Sequence, residues 1–171
     1  MEAASAGLAV DRIAMYEVPY SVGEESARRW REYVVQLRAA FARGRRGDAI
    51  ELFMRLAGAS EEEVAGARTS SYWPGLEALA HTLAYDAACL GDDGRPPVAR
   101  LATIAQPALV STGARAADPT MPGMAPDFFD LAADAIVAAL PRAERVVIEG
   151  QGHVVDPKAL APILERFVGT G

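Results

Sequence analysis

The sequence has 171 residues, 51% of them hydrophobic and 23% charged, with a formal net charge of -6. This length suits one domain with its own core, and the acidic balance argues against nucleic-acid binding, which usually needs a basic face. No stretch approaches the 18 continuous apolar residues of a membrane span, and the N-terminus does not resemble a signal peptide. The single cysteine, Cys89, is interpreted as a small buried hydrophobe. It fits a reducing compartment, so we expect a cytoplasmic location.

The first 20 residues contain one short apolar run, Ile13–Tyr16, which reads as a buried strand closed by a proline turn at Pro19. A helical block follows over residues 21–97, because apolar residues there recur at steps of three and four. Its predicted helices span residues 24–44, residues 48–58 with Asp48 as the N-cap, a short segment after a capping box at Ser60, and residues 76–90.

The rest of the chain alternates strands and helices. The predicted strands are residues 108–112 and 145–149, and the predicted helices are residues 127–140 and the segment that begins at Pro157. Such alternation indicates a parallel sheet with right-handed crossovers. The sequence therefore predicts an α/β fold with three parallel strands, whose core is formed by residues 1–20 and 98–171. Residues 21–97 are predicted to be a helical insertion or lid.

Ligands of open parallel sheets bind beyond the carboxyl ends of the strands, which directs attention to the loops there. The loop after the third strand carries His153 between Gly152 and Val154. A histidine on a glycine-rich turn can reach into a cleft, and its titration near neutrality suits general acid–base chemistry. The alternative is a surface histidine or one that caps the next helix.

The loop after the second strand carries Asp118, which could orient the imidazole of His153 and stabilise its cation. The alternative is an Asp-Pro turn with no further role. His81 lies among apolar residues and is expected to be structural. Two histidines this far apart have no metal-ligand spacing, and no phosphate-cradling glycine motif occurs, so no metal or cofactor is expected.

Together these pieces resemble the α/β-hydrolases. The pieces that carry the resemblance are Tyr16-Glu17-Val18-Pro19-Tyr20, the strand Pro107–Gly113, and Glu149-Gly150-Gln151-Gly152-His153 followed by an amphipathic helix. They stand in the order of the family's last three strands, with the lid where the family places it, and they look like a group of bacterial members. The resemblance implies that His153 is the catalytic histidine.

The resemblance also implies that the nucleophile elbow, G-x-S-x-G, lies before Met1 and is missing from this chain. Ser5, in Ala3-Ala4-Ser5-Ala6-Gly7, matches a relaxed elbow but has no strand before it. The family's usual acid position corresponds to Ala116 here. Asp118 is therefore the favoured acid, and Glu17, after the preceding strand, is the alternative.

Three functions follow as hypotheses. The first is part of a hydrolase of small, largely apolar, ester-like substrates, with His153 as general base, inactive alone and completed by a missing N-terminal half. The second is a non-hydrolytic relative, a homodimer whose lid pocket binds a small molecule or performs isomerase- or cyclase-like proton transfer. The third is a non-catalytic interaction module. No nucleic-acid or membrane partner is expected.

Overall fold

A computed structural model describes residues 1–114 and 124–169 of the chain. The described strands are β1, β2 and β3, at Ile13–Tyr16, Ala108–Gly113 and Ala143–Ile148. The described helices, α1 to α9, are Glu2–Ser5, Glu24–Ala42, Arg46–Leu56, Glu61–Arg68, Trp73–Leu79, Thr82–Leu90, Val98–Leu101, Phe128–Ala139 and Pro157–Gly169. None of the helices in these residues is long and apolar enough to cross a bilayer.

The strands form one parallel sheet in the order β1-β2-β3 within the described residues. Ile13 pairs with Ala108 and Tyr16 with Ser111, while Gly113 pairs with Ile148 at the far end of β3. All three strands therefore end at the same edge of the sheet. Strand β2 is almost wholly buried, as expected for the central strand of a parallel sheet covered by helices. The α/β class and the three parallel strands predicted from the sequence are confirmed.

The chain divides into two compact units. One contains Met1–Val22 and the segments that follow Pro96, including the sheet, and the other consists chiefly of Gly23–Arg95. The helical unit has its own core around Trp30, Trp73 and neighbouring apolar side chains. Its predicted role as a lid stays a prediction.

The local start and stop signals were predicted with mixed success. Ser60 forms the predicted capping box, since its hydroxyl accepts from the Glu63 amide while the Glu63 carboxylate accepts from the Ser60 amide. The prediction of Asp48 as an N-cap was wrong, because α3 begins at Arg46 and Asp48 lies in its first turn, paired with Arg45 at 2.8 Å. An acidic residue stabilises either position, so sequence alone does not separate them.

Two further details differ from the sequence prediction. The single helix predicted over residues 76–90 is two helices, α5 and α6, with His81 as the residue before α6. His81 is exposed, and its Nδ1 lies 3.0 Å from the Ala78 carbonyl oxygen. Cys89 was predicted to be buried but is exposed, because it lies on the outer face of α6 while Ala87 occupies the buried one.

Candidate active site

The residue after β1, Glu17, is the centre of the site. Its backbone has φ of 47°, the left-handed region that side-chain-bearing residues seldom adopt. Its amide donates to the Ser111 carbonyl at 2.9 Å, so the chain stays paired with β2 while it turns. The turn directs a carboxylate that is only 5% exposed to the edge of the sheet where the strands end. A buried charged group in a rare backbone conformation is a frequent sign of a functional site.

Both carboxylate oxygens of Glu17 have partners. Oε1 accepts from the amide of Gly113, the last residue of β2, at 3.0 Å. Oε2 lies 2.8 Å from Nδ1 of His153, which is 42% exposed. A carboxylate that is ionised only accepts hydrogen bonds, so this contact is a hydrogen bond when Nδ1 carries a proton. The strand ends therefore bring together a buried carboxylate and a partly exposed histidine that are 136 residues apart in sequence.

The loop that carries His153 is braced on both sides. Gly150 has φ of 71°, which starts the turn after β3, and the Gln151 side chain accepts from the Asp156 amide at 2.8 Å. The phenol of Tyr16, at the end of β1, donates a short hydrogen bond to the Gly152 carbonyl. Tyr16 and Glu17 are consecutive residues at the end of β1. Tyr16 holds the backbone of the residue before His153, and Glu17 holds the imidazole of His153.

Gly113 has to be a glycine for a packing reason. A Cβ atom built on it would lie 2.3 Å from the Gln151 carbonyl oxygen and 2.8 Å from the Tyr16 hydroxyl. Backbone on one side and a braced phenol on the other leave no room for a methyl group. The absence of a side chain lets the His153 loop sit directly on the end of β2.

One face of the imidazole is covered by an aromatic ring. Phe129, in the first turn of α8, stacks on His153 with ring centroids 5.2 Å apart and planes 10° from parallel. Its neighbour Asp130 accepts from Thr112 and Arg145, which lie on β2 and β3. This turn of α8 is therefore tied to two strands of the sheet.

Several residues singled out in the sequence lie elsewhere. Asp118 lies outside the described residues. Ser5 is in the single turn α1, where its hydroxyl donates to the Glu2 carbonyl, and no strand precedes it in the described chain. Among the aromatic residues of the helical unit, Trp30 and Trp73 are buried in its core and Phe41 packs against that core, whereas Phe53 is 44% exposed.

The helical unit has an open surface depression of about 570 Å³, lined largely by residues 44–48 and by Arg68 and Glu77, and it includes none of the site residues above. Within residues 1–114 and 124–169, no group of three or more acidic, histidine or cysteine side chains could hold a metal ion.

The sequence predicted His153 as the general base and named Glu17 only as an alternative acid; the structure brings these two side chains together, and their catalytic roles stay predictions. Sequence reasoning missed Tyr16, Phe129 and the close packing of Gly113. The available signal was the position of Tyr16 and Glu17 at a strand end, next to the ends of β2 and β3. No sequence pattern marks Phe129, because two apolar residues, Phe128 and Phe129, open the same helix.

The ends of the parallel strands thus bring together the Glu17 carboxylate and the His153 imidazole, next to Gly113 at the end of β2. An α/β-hydrolase from Sphaerobacter thermophilus is 36% identical to this chain, with a TM-score of 0.73, and the alignment covers 98% of this chain. The resemblance that the sequence indicated is therefore confirmed, and the chain has a partial α/β-hydrolase fold. It spans 62% of the length of that relative. No protein-family model and no curated protein matches the sequence.

Proposed function

We propose that Glu17 and His153 are the acid and the general base of a serine-hydrolase-type site that acts on small ester-like substrates. The 2.8 Å contact between the Glu17 carboxylate and His153 Nδ1 carries this proposal. A carboxylate on Nδ1 fixes the tautomer and stabilises the imidazolium that forms when Nε2 takes a proton. Nε2 is then the atom that removes the proton from a nucleophile.

The difference in exposure between the two side chains supports this role. Glu17 is 5% exposed and is held by a backbone amide as well as by His153, so the carboxylate is oriented before any reaction begins. His153 is 42% exposed, which leaves room for a reacting group to approach it. This asymmetry between a fixed buried acid and an accessible base is what general-base catalysis requires.

The proposal also has to account for the source of the nucleophilic serine. No serine of the sequence stands in a G-x-S-x-G motif, and Ser111, on β2, is buried with its hydroxyl donating to the Met15 carbonyl. We propose that the serine and its oxyanion hole come from a further part of an α/β-hydrolase fold, which pairs with the sheet next to β1. The alternative is that a second copy of the chain pairs with β1.

The first test replaces the acid without changing its shape. In Glu17→Gln, the backbone amide of Gly113 can donate only to the oxygen of the new side chain. The NH₂ group of that side chain must then face His153. Nδ1 must then accept, and the neutral imidazole carries its proton on Nε2, the wrong nitrogen for a base. Long-range ¹H–¹⁵N spectra of the imidazole nitrogens should show Nδ1–H in the wild-type chain and Nε2–H in the variant.

The controls are internal to the chain. His81 bonds a backbone carbonyl through Nδ1 and should keep its tautomer in both proteins. Asp118→Asn should leave His153 unchanged. If Asp118→Asn rather than Glu17→Gln reverses the tautomer, Asp118 is the acid and the assignment of Glu17 is wrong.

The second test concerns activity. A chain of residues 1–171 should not hydrolyse short p-nitrophenyl esters above the buffer rate, because loss of the nucleophile alone costs about 10⁶ in turnover in a triad hydrolase. An activity that is lost on His153→Ala and kept in Ser5→Ala would contradict this account of the nucleophile. An activity that is lost on Ser5→Ala would identify Ser5 as the nucleophile.

A further inference from the structure

The aromatic ring on His153 supplies a constraint that the carboxylate does not. A hydrogen bond to Glu17 fixes Nδ1 within the ring plane, but it allows the imidazole to rock about the line that joins the two atoms. The Phe129 ring lies nearly parallel to the imidazole, at 10°, and blocks motion toward that face. Offset stacking of this kind is favourable beyond the burial of area.

Phe129 is itself held in place from two sides. The Phe128 ring meets it edge-on, with centroids 5.2 Å apart and planes at 78°. Asp130, the next residue, accepts from the buried Thr112 hydroxyl at 2.7 Å and from Arg145 at 2.5 Å. Because Thr112 is 1% exposed, this link joins the first turn of α8 to the interior of the sheet.

The same arginine reaches a second carboxylate that lies farther from the site. Arg145 also donates to Asp134 at 3.2 Å, one helical turn beyond Asp130. Asp134 is 70% exposed, whereas Asp130 is 46% exposed. Exposed ion pairs contribute little to stability, so Asp134 offers a matched control for Asp130.

We propose that Phe129 is a positioning residue for His153 and that Asp130, through Thr112 and Arg145, positions Phe129. The positioning role is argued from the contacts alone, whereas its importance for catalysis rests on the proposed function of His153. Glu17 sets the tautomer and the in-plane direction of the imidazole, and Phe129 sets its plane.

The test measures the motion of the His153 ring by ¹³C relaxation of its Cδ2–H bond in the full chain, which is independent of the tautomer. We expect the order parameter in the wild-type chain to be close to that of rigid backbone, about 0.85, and that in Phe129→Leu to fall below about 0.6, as in flexible segments. Phe129→Tyr keeps a flat ring and should restore the wild-type value. Phe128→Leu keeps the stacked ring and removes only its edge contact with Phe128, so it should lower the order parameter less than Phe129→Leu does.

Asp130→Ala, which removes the acceptor of both Thr112 and Arg145, should lower the order parameter part of the way, and Asp134→Ala should leave it unchanged. Circular dichroism must show that each variant is folded, and Phe129→Met takes the place of Phe129→Leu if the latter is not. An unchanged order parameter in the folded Phe129 variant, or an equal loss in Phe128→Leu, would overturn the proposal. The tautomer test on Glu17→Gln can fail while this result holds, so the two failures are distinguishable.

Discussion

Gly113→Ala should destabilise the unit that contains the sheet by about 3 kcal/mol, at the upper end of the usual cost of overpacking a core. The new methyl group would sit 2.3 Å from the Gln151 carbonyl oxygen, and a backbone atom cannot turn aside as a side chain does. Relief requires that the loop of His153 move away from β2. The His153 imidazole then also shifts from the Glu17 carboxylate, which lies 2.8 Å from its Nδ1.

Gly66→Ala is the matched control for this substitution. Gly66 lies inside α4 with no atom within 4 Å of an added Cβ, so alanine there should stabilise the chain by about 1 kcal/mol through helix propensity. Both variants are compared in urea, by circular dichroism for the whole chain and by tryptophan fluorescence for the helical unit, where both tryptophans lie. Equal unfolding midpoints for Gly113→Ala and wild type would refute the packing account.

Removing the carboxylate at position 17 should cost stability, but glycine should be tolerated better than alanine. Glu17→Ala leaves the half-buried Gly113 amide and the partly exposed His153 imidazole without their acceptor, a loss of about 1–3 kcal/mol. Glu17→Gly loses the same contacts but removes the steric cost of φ at 47°. Since a left-handed residue with a Cβ costs about 1 kcal/mol, the glycine variant should be the more stable by about that amount.

The comparison is informative because alanine and glycine are expected to rank in opposite order of stability at positions 66 and 17. At position 66 alanine should be better than glycine, and at position 17 glycine should be better than alanine. Urea unfolding of the two position-17 variants, followed by circular dichroism, measures the difference. If alanine is the more stable at position 17, the strained backbone at this strand end is not a feature of the folded protein.

The sequence predicted the fold well where periodicity and chain order suffice. Short apolar runs such as Ile13–Tyr16 and the alternation of strands and helices determine a parallel sheet, and the sheet determines which loops meet. His153 could be found because a histidine on a glycine-rich turn at a strand end has a recognisable setting. The helix boundary at residues 80–81 could not be found, because no glycine or proline marks it.

The sequence could not show which carboxylate contacts His153, for a different reason. Asp118 and Glu17 both follow strands whose ends meet at one edge, so topology alone admits either. What favours Glu17 is its left-handed backbone, which directs the side chain toward Gly113 and His153. A non-glycine residue with positive φ leaves no mark in the sequence, and neither does a stacking contact such as that of Phe129.

The separation of 136 residues between Glu17 and His153 has a consequence for folding kinetics. The helical unit between them is built from contacts close in sequence, such as those of α2 with α3, which form fast. The carboxylate and the imidazole meet only after the largest loop has closed and its entropy has been lost. The contact between Glu17 and His153 is therefore expected to form late in folding, after the helical unit.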